Sequence, residues 1–251
     1  MEKINKSPRL AIVCPFINIP DYVIGMVDSI RTMEPYILIL IDNNSNKETR
    51  KKLAYFKELE NVIYIENDSN IGVASSWNMG CKIAFEQKTI EKVLIANNDI
   101  LFHPYCIDAM VRIINNEKYA LLSSFDVARD LDKPKDIFKY KNPLKPYEVD
   151  APDFSNFMIK RETWEKIGAF DNKFYPAYFE DNDYHYRIRL QNKRGVKTTT
   201  ALHYHYGSRT VHENPDVGSV SNAMYLQNEE YFVQKWGGKP GLEKHKTPFG
   251  K

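Results

Sequence analysis

The chain has little charge of one sign to spare. Its 251 residues carry 35 Lys and Arg against 33 Asp and Glu, a formal charge of +2. Gripping nucleic-acid backbone needs a concentrated excess of cations, so the balance argues against that as the main task. It leaves open a nucleic acid met through a local basic face. Cysteine is scarce. Cys14, Cys81 and Cys106 are odd in number and lack CxxC spacing, which argues against a disulfide framework or a Cys-rich zinc site and fits a reducing, cytoplasmic setting. Long apolar runs are also missing. The stretch from Leu10 to Ile19 is broken by Pro15 and is about half the length of a membrane span. It reads as a first strand, and neither a signal peptide nor a transmembrane segment is expected. There is no GxGxxG, hence no dinucleotide fingerprint. Internal repeats, low-complexity tracts and long charge blocks are absent.

What is there is ordinary in bulk. Apolar residues make up 43% and charged residues 27%, values of a soluble globular chain. At roughly 150 residues per domain the length allows one or two domains. Sixteen Tyr lift the aromatic share to 13%. Amphipathic rings suit a binding surface, and a Tyr-rich core explains them equally well.

The first half alternates strand and helix signals. Leu10 to Cys14, Tyr36 to Ile41, Asn61 to Glu66 and Lys92 to Ala96 are short, mostly apolar runs, as expected of strands buried on both faces. Between them, Asp21 to Met33, Lys47 to Leu59 and Val73 to Phe85 have helical character, and a further helix is expected from Pro104 to Asn115. This alternation predicts a parallel, doubly wound sheet, whose ligands sit outside the carboxyl ends of the strands. Pro15-Phe16, Asp42-Asn43-Asn44, the loop from Asn67 to Gly72 and Asn97-Asn98-Asp99 should therefore converge on one crevice. Beyond them, Asp130 to Pro152 reads as a loop or edge excursion. Phe154 to Lys160 and Thr198 to His205 read as strands, and Arg161 to Ile167 as a short helix closing at Gly168. Phe179 to Gln191 and Asn222 to Trp236 read as helices, and Gly237 to Lys251 as a partly mobile tail.

Four groups could carry chemistry. Asn97, Asn98 and Asp99 end an apolar strand and offer oxygen ligands to Mg²⁺ or Mn²⁺, or hydrogen bonds to a ribose or phosphate. Turn formation is the competing explanation. Glu180 and Asp181, followed by Asp183, Arg187 and Arg189, either favour a helix start through its dipole or supply a general base for an attacking hydroxyl. His203 and His205 point one way from a strand and could hold a metal, or form a half-exposed His/Tyr strand. The segment from Asn70 to Gly80 brings small residues to a helix start, either to admit a phosphate or to pack the helix closely.

Taken in order, residues 8 to 212 resemble the GT-A glycosyltransferases of family 2, which use nucleotide sugars. Leu10 to Phe16, with Pro15 and Phe16, is similar to that family's first strand and base-contacting loop. Leu38 to Ser45 is similar to its second strand, with the acidic residue at Asp42 and Asn44 nearby. Asn70, Gly72 and Asn78 fall in an N-x-G segment, and Asn97-Asn98-Asp99 falls at the Asp-x-Asp motif, with its first carboxylate replaced by an amide. Trp77 stands where many relatives have a basic residue. Trp164 and the G-x-F-D of Gly168 to Asp171 resemble the approach to the acceptor site. Phe179 to Arg187 resembles the E-D-x-D…R signature, and His205, Gly207 and Ser208 a late His-x-Gly-Ser element.

The resemblance implies a mixed, mostly parallel α/β GT-A sheet flanked by helices, within a single domain over 1–251. A nucleotide-sugar-binding half is expected over 8–122, an acceptor and catalytic half over 123–212, and a C-terminal helix and tail over 213–251. It implies transfer of a sugar from a UDP- or dTDP-type donor to an acceptor hydroxyl, of a glycan, with inversion by single displacement. A divalent cation, Mn²⁺ or Mg²⁺, would be held by Asp99 with His205 or His203. Asp181, or Glu180, would be the base, and Trp164 and Asp181 would face the acceptor. A modified nucleic acid base or a protein side chain as acceptor, and a non-catalytic nucleotide-binding member, are the alternatives; a nucleotidyltransferase is disfavoured because no Gly-rich, basic phosphate loop follows the first strand. The sequence says nothing of oligomeric state.

Overall fold

A computed structural model describes residues 7–207 and 209–251. Ser208, part of the expected His-x-Gly-Ser element, lies outside the described residues.

The chain runs β1 (Leu10–Phe16), α1 (Pro20–Asp28), β2 (Tyr36–Asp42), α2 (Lys47–Leu53), β3 (Val62–Glu66), α3 (Val73–Glu86), β4 (Lys92–Ala96), β5 (Ile100–Phe102), α4 (Cys106–Ile114) and β6 (Tyr119–Asp126). It continues through β7 (Glu148–Val149), β8 (Asn156–Lys160), α5 (Arg161–Ile167), α6 (Glu180–Leu190), β9 (Arg194–His205), α7 (Arg209–Glu213) and α8 (Pro215–Trp236). Among the described residues nine strands join one sheet, ordered β3-β2-β1-β4-β8-β6-β9-β5, with β7 beside β9. The first four are parallel, as their apolar runs predict. The sheet turns mixed at β8, which lies antiparallel to β4 and β6, while β6 and β9 are parallel and β5 is antiparallel to β9. The expected division at 122/123 falls inside β6, so the sheet does not separate there.

Helices cover both faces. One apolar layer joins Leu10, Ile12, Leu38 and Leu94 to α1 and α4; the other joins Ala11, Val13, Ile39 and Ile95 to α3 and α6. Alternate residues of one strand thus feed opposite layers, which is why β1, β2 and β4 are apolar throughout. Gly80 lets α3 lie against β1: a Cβ there would meet Val13 Cγ1 at 2.2 Å. The end of α3 is closed by Arg161, whose guanidinium donates to the carbonyls of Phe85, Gln87 and Ile90 at 2.7–3.0 Å. The Phe85 carbonyl is one that a helix terminus leaves without an intrahelical partner.

Several expected boundaries shift. α1 stops at Asp28 rather than Met33, because the Ser29 hydroxyl donates to Met26 O and the Arg31 guanidinium to Asp28 O and Ile30 O. The last turn of the second helix tightens into a 3₁₀ turn over Ala54–Glu58. α8 begins at Pro215, seven residues before expectation. The segment from Gly237 onward is docked, not loose: Lys244 and His245 donate their backbone N–H to Trp236 O, and the Tyr186 hydroxyl donates to His245 O.

Candidate active site

The parallel registers set Phe16 beside Asp42 and Asp42 beside Glu66, so β1, β2 and β3 end together, with the end of β4 on the same side. Since β8 runs antiparallel to β4 with Asn156 opposite Ala96, the start of β8 reaches that edge too. β9 pairs with β6 through His203 opposite Asp126, and with β5 through His205 opposite Ile100. The last turn of β9 thereby lands next to Asp99. A cavity of about 330 Å³ opens at this edge.

Of the expected residues, Pro15, Phe16, Asn70, Gly72, Asn97, Asn98, Asp99, Glu180, Asp181 and His205 line it. Gly72 has φ +81 and lies so close to Tyr175 and Pro176 that a Cβ would meet Pro176 O at 3.0 Å. The Val73 N–H donates to Pro176 O at 2.8 Å. This clamps the Asn70–Gly72 loop to the segment that leads into α6. Tyr178 and Phe179 then take positive φ, 81° and 73°, a strained conformation for aromatic residues. It is enforced by the burial of Phe179 against Phe232 and Tyr225. The turn delivers Glu180 and Asp181 to the cavity. The helix behind them is locked by Asp183, which accepts from Arg187 Nε, Trp236 Nε1 and Lys235 Nζ at 2.6–2.9 Å.

Five expected residues lie elsewhere. Asp42 is fully buried, and its oxygens accept from Ser45 N–H at 2.6 Å and Arg50 Nε at 3.1 Å, so it closes the turn after β2. Asn44 is exposed at φ 69° and sits near the Arg50 guanidinium. Asn78 exchanges two hydrogen bonds with the backbone of Phe170, at 2.8 and 2.9 Å. Trp164 packs beside Phe85 in the core of α3 and α5, away from the cavity. His203 is fully buried, with Nδ1 against Ser124 Oγ at 2.7 Å and Nε2 against Ser155 Oγ at 3.0 Å. Both its nitrogens face serine hydroxyls, away from the cavity.

The cavity also takes Asn43 of the expected Asp42-Asn43-Asn44 turn, together with Asp153, Phe154, Ser155 and Thr210, to which the sequence assigned no role at the site. Asn43 is the neighbour of two expected positions, and turn composition does not say which of three polar side chains points inward. Trp77 stands in the wall, edge-on to Phe157 and Phe170 at about 5 Å, with its Nε1–H unpartnered.

His205 Nε2 lies 3.3 Å from Asp99 Oδ1, yet it is buried without a well-aligned hydrogen bond. Asp99 Oδ2 accepts from the Arg209 N–H at 2.9 Å. Burial opposes ionisation of Asp99, but His205 and that N–H outweigh it and hold the carboxyl below its usual range. Burial likewise pulls His205 down, and Asp99 lifts it more, to a net rise. Two electron-pair donors facing each other call for a positive charge between them, a proton or a metal ion. A carboxylate oxygen and an imidazole nitrogen suit a cation of intermediate hardness such as Mn²⁺. No cluster of three or more His, Cys, Asp or Glu is present among the described residues, so the remaining ligands would come from substrate and water, as is usual for cations that work on phosphates.

Glu180 and Asp181 differ. Glu180 is buried with Oε2 unpartnered; burial, and then the Asp181 charge, push its carboxyl well above the ordinary value. Asp181 is only half-buried and accepts one N–H, from Asn182 at 2.7 Å. Burial raises it as well, partly offset by that N–H.

A family model described as glycosyl transferase family 2 matches residues 11–170. Among curated proteins the chain is 25% identical over 171 residues to the low-salt glycan biosynthesis hexosyltransferase Agl10 of Haloferax volcanii, covering 61% of this chain and 53% of the relative. It is 24% identical over 219 residues to a galactofuranosyl glycosyltransferase of Leishmania donovani, covering 70% and 49%. The chain thus spans about half the length of the curated relatives it matches. Among solved structures it resembles the mannosyltransferase PcManGT of Pyrobaculum calidifontis in complex with GDP-Man and Mn²⁺, at TM-score 0.66 and 15% identity over 94% of this chain and 67% of that one. It also resembles GalNAc-T7 with UDP, GalNAc and Mn²⁺, at TM-score 0.63 and 16% identity over 90% and 50%. These neighbours identify the fold as GT-A.

Proposed function

The chain belongs to glycosyl transferase family 2, and from that premise we propose that it transfers a sugar from a nucleoside diphosphate sugar to an acceptor hydroxyl, with inversion, in one displacement. The observation that carries the reading is the meeting of Asp99, His205 and Asp181 on one cavity. The donor's base would lie at the end of β1 by Phe16 and its ribose by Asn43. Both solved neighbours hold Mn²⁺, and Asp99 with His205 would hold such a cation here. When bound, that ion supplies Lewis acidity to the departing diphosphate.

Asp181 is the better base of the two carboxylates. Glu180 is too buried to ionise readily, whereas Asp181 faces the cavity and has acceptor capacity left after its single backbone hydrogen bond. Asp181 would accept the proton of the attacking hydroxyl. Burial raises its proton affinity, which favours acceptance of the hydroxyl proton. The wall of Trp77, Phe154 and Phe16 would exclude water from the reacting centre. Removing one carboxylate from the Asp-x-Asp position leaves Asn97 neutral, which lowers the charge opposing a diphosphate.

A glycan hydroxyl is the favoured acceptor, in keeping with the glycan biosynthesis role in the name of one relative. The test is a binding and transfer screen with UDP-, GDP- and dTDP-sugars, with and without Mn²⁺. A donor that binds only with the cation, and is turned over when a hydroxyl acceptor is added, is expected. Binding of no nucleotide in either condition would refute the proposal.

A further inference from the structure

We propose that Asp153 is the residue that binds a hydroxyl of the transferred sugar, aimed by a one-way hydrogen-bond chain running through the buried His203. This deepens the transferase reading and rests on it. The Ser155 hydroxyl donates to Asp153 Oδ1 at 2.6 Å, as does the Ser155 N–H at 2.9 Å. A hydroxyl has one hydrogen and a carboxylate can only accept, so Ser155 Oγ must accept from His203 Nε2 at 3.0 Å. In the neutral ring, Nδ1 is then an acceptor and takes the Ser124 hydroxyl hydrogen at 2.7 Å. Ser124 Oγ in turn accepts from Asn156 Nδ2 at 2.6 Å. Each hydroxyl accepts one bond and donates one, each ring nitrogen has one role, and the direction runs from Asn156 to the carboxylate. Such chains polarise along their length and fix their last member.

The backbone is fixed as well. The Asp153 N–H donates to Ser123 Oγ at 2.7 Å, and the Asn97 N–H donates to Ser155 O at 2.8 Å, which ties this stretch to the strand end that carries Asp99. Oδ2 of Asp153 takes no hydrogen bond from the described residues, and the residue lines the cavity. Asp153 lines the same cavity as the proton acceptor Asp181 and the His205 of the cation position. In a single displacement the ring attached to the leaving diphosphate and attacked by the acceptor lies there. A carboxylate held rigidly with one free oxygen is built for a sugar hydroxyl, and it penalises an analogue that leaves it desolvated and unpaired.

Asp153→Asn keeps an oxygen for the two bonds from Ser155 and turns the free acceptor into a donor. We would measure dissociation constants for UDP, GDP and dTDP and for their sugar conjugates, with Mn²⁺. Transfer would be followed with the preferred donor and its monodeoxy analogues. For Asp153→Asn the bare nucleotide should bind as before, while kcat/KM and the added affinity due to the sugar fall about ten- to hundredfold, the worth of a charged hydrogen bond. One deoxy donor should lose the same factor in the wild type and no more in the variant. Ser155→Ala, which frees the carboxylate without removing it, should lose about two- to tenfold, with its discrimination against that deoxy donor reduced in step. If Asp153→Asn discriminates among sugar conjugate, bare nucleotide and deoxy donors as the wild type does, the inference is overturned. A loss confined to acceptor KM assigns the carboxylate to the acceptor and overturns the donor assignment. A wild type that binds no nucleotide brings down the transferase reading itself, and this inference with it.

Discussion

Replacing Asp181 by Asn tests the proposed chemistry with little disturbance to the fold. The side chain has one hydrogen bond, from the Asn182 N–H at 2.7 Å, and an amide oxygen accepts it equally well. Burial disfavours the charged form, so a neutral side chain should leave the melting temperature unchanged or slightly higher. Binding of a nucleoside diphosphate should hold or tighten, because one negative charge leaves a cavity that receives a polyanion. Transfer should collapse. A positioned base contributes about a hundred- to ten-thousand-fold, equivalent to about 3–5 kcal/mol of barrier. Calorimetric titration with nucleotide and single-turnover transfer on the same preparation separate binding from chemistry. The wild-type rate should fall toward acid as Asp181 takes up a proton, with that limb above the ordinary Asp value of about 3.9, and the limb should vanish in the variant. Transfer within tenfold of wild type, with the acid limb intact, would remove Asp181 from the base role.

Three further outcomes follow from the geometry. A chelator should abolish transfer and Mn²⁺ or Mg²⁺ should restore it; His205→Ala should weaken the cation at least as much as loss of an outer-shell partner does, about 10–100-fold, and full activity in the chelator would contradict the Asp99–His205 site. Gly80→Ala should cost about 1–3 kcal/mol by forcing α3 off Val13, a drop of about 2–4 °C per kcal/mol, and an unchanged melting temperature would contradict that packing. Glu180 has a native pKa raised above its unfolded value, so its stabilising contribution is complete below the unfolded pKa and is lost as pH rises through the native one. Wild type should therefore lose stability relative to Glu180→Gln across that interval, and parallel melting curves against pH would show that Glu180 is not protonated in the native state.

Much of the first half was legible in the sequence because β1, β2 and β4 are buried on both faces and therefore apolar throughout. The polar residues that stop β4, Asn97 to Asp99, are among those that line the cavity. β5 has only three residues, too few for a pattern, and β6 has Ser123 and Ser124 in the middle of its apolar run. Those serines are buried without penalty only because Asp153 and His203 meet them, which no local signal reports. Trp164 and Asn78 sit in motif-like segments, yet they face the core and a backbone edge.

Sequence by itself determined where the four parallel strands β1 to β4 lie, since burial on two faces and turn chemistry are local properties written in residue type. It also supplied the donor atoms, because a carboxylate or an imidazole is what it is wherever it stands. Only the tertiary structure put His205 and Asn43 on the cavity and enclosed His203 and Asp42. The two histidines share a face of β9 and both lie opposite β5; what separates them is that Ser124 of β6 and Ser155 before β8 enclose the first, while the second lies at the strand end beside Asp99. Pairing β5 with β9 is a long-range property of the sheet, and which of these side chains meet at the cavity follows from it.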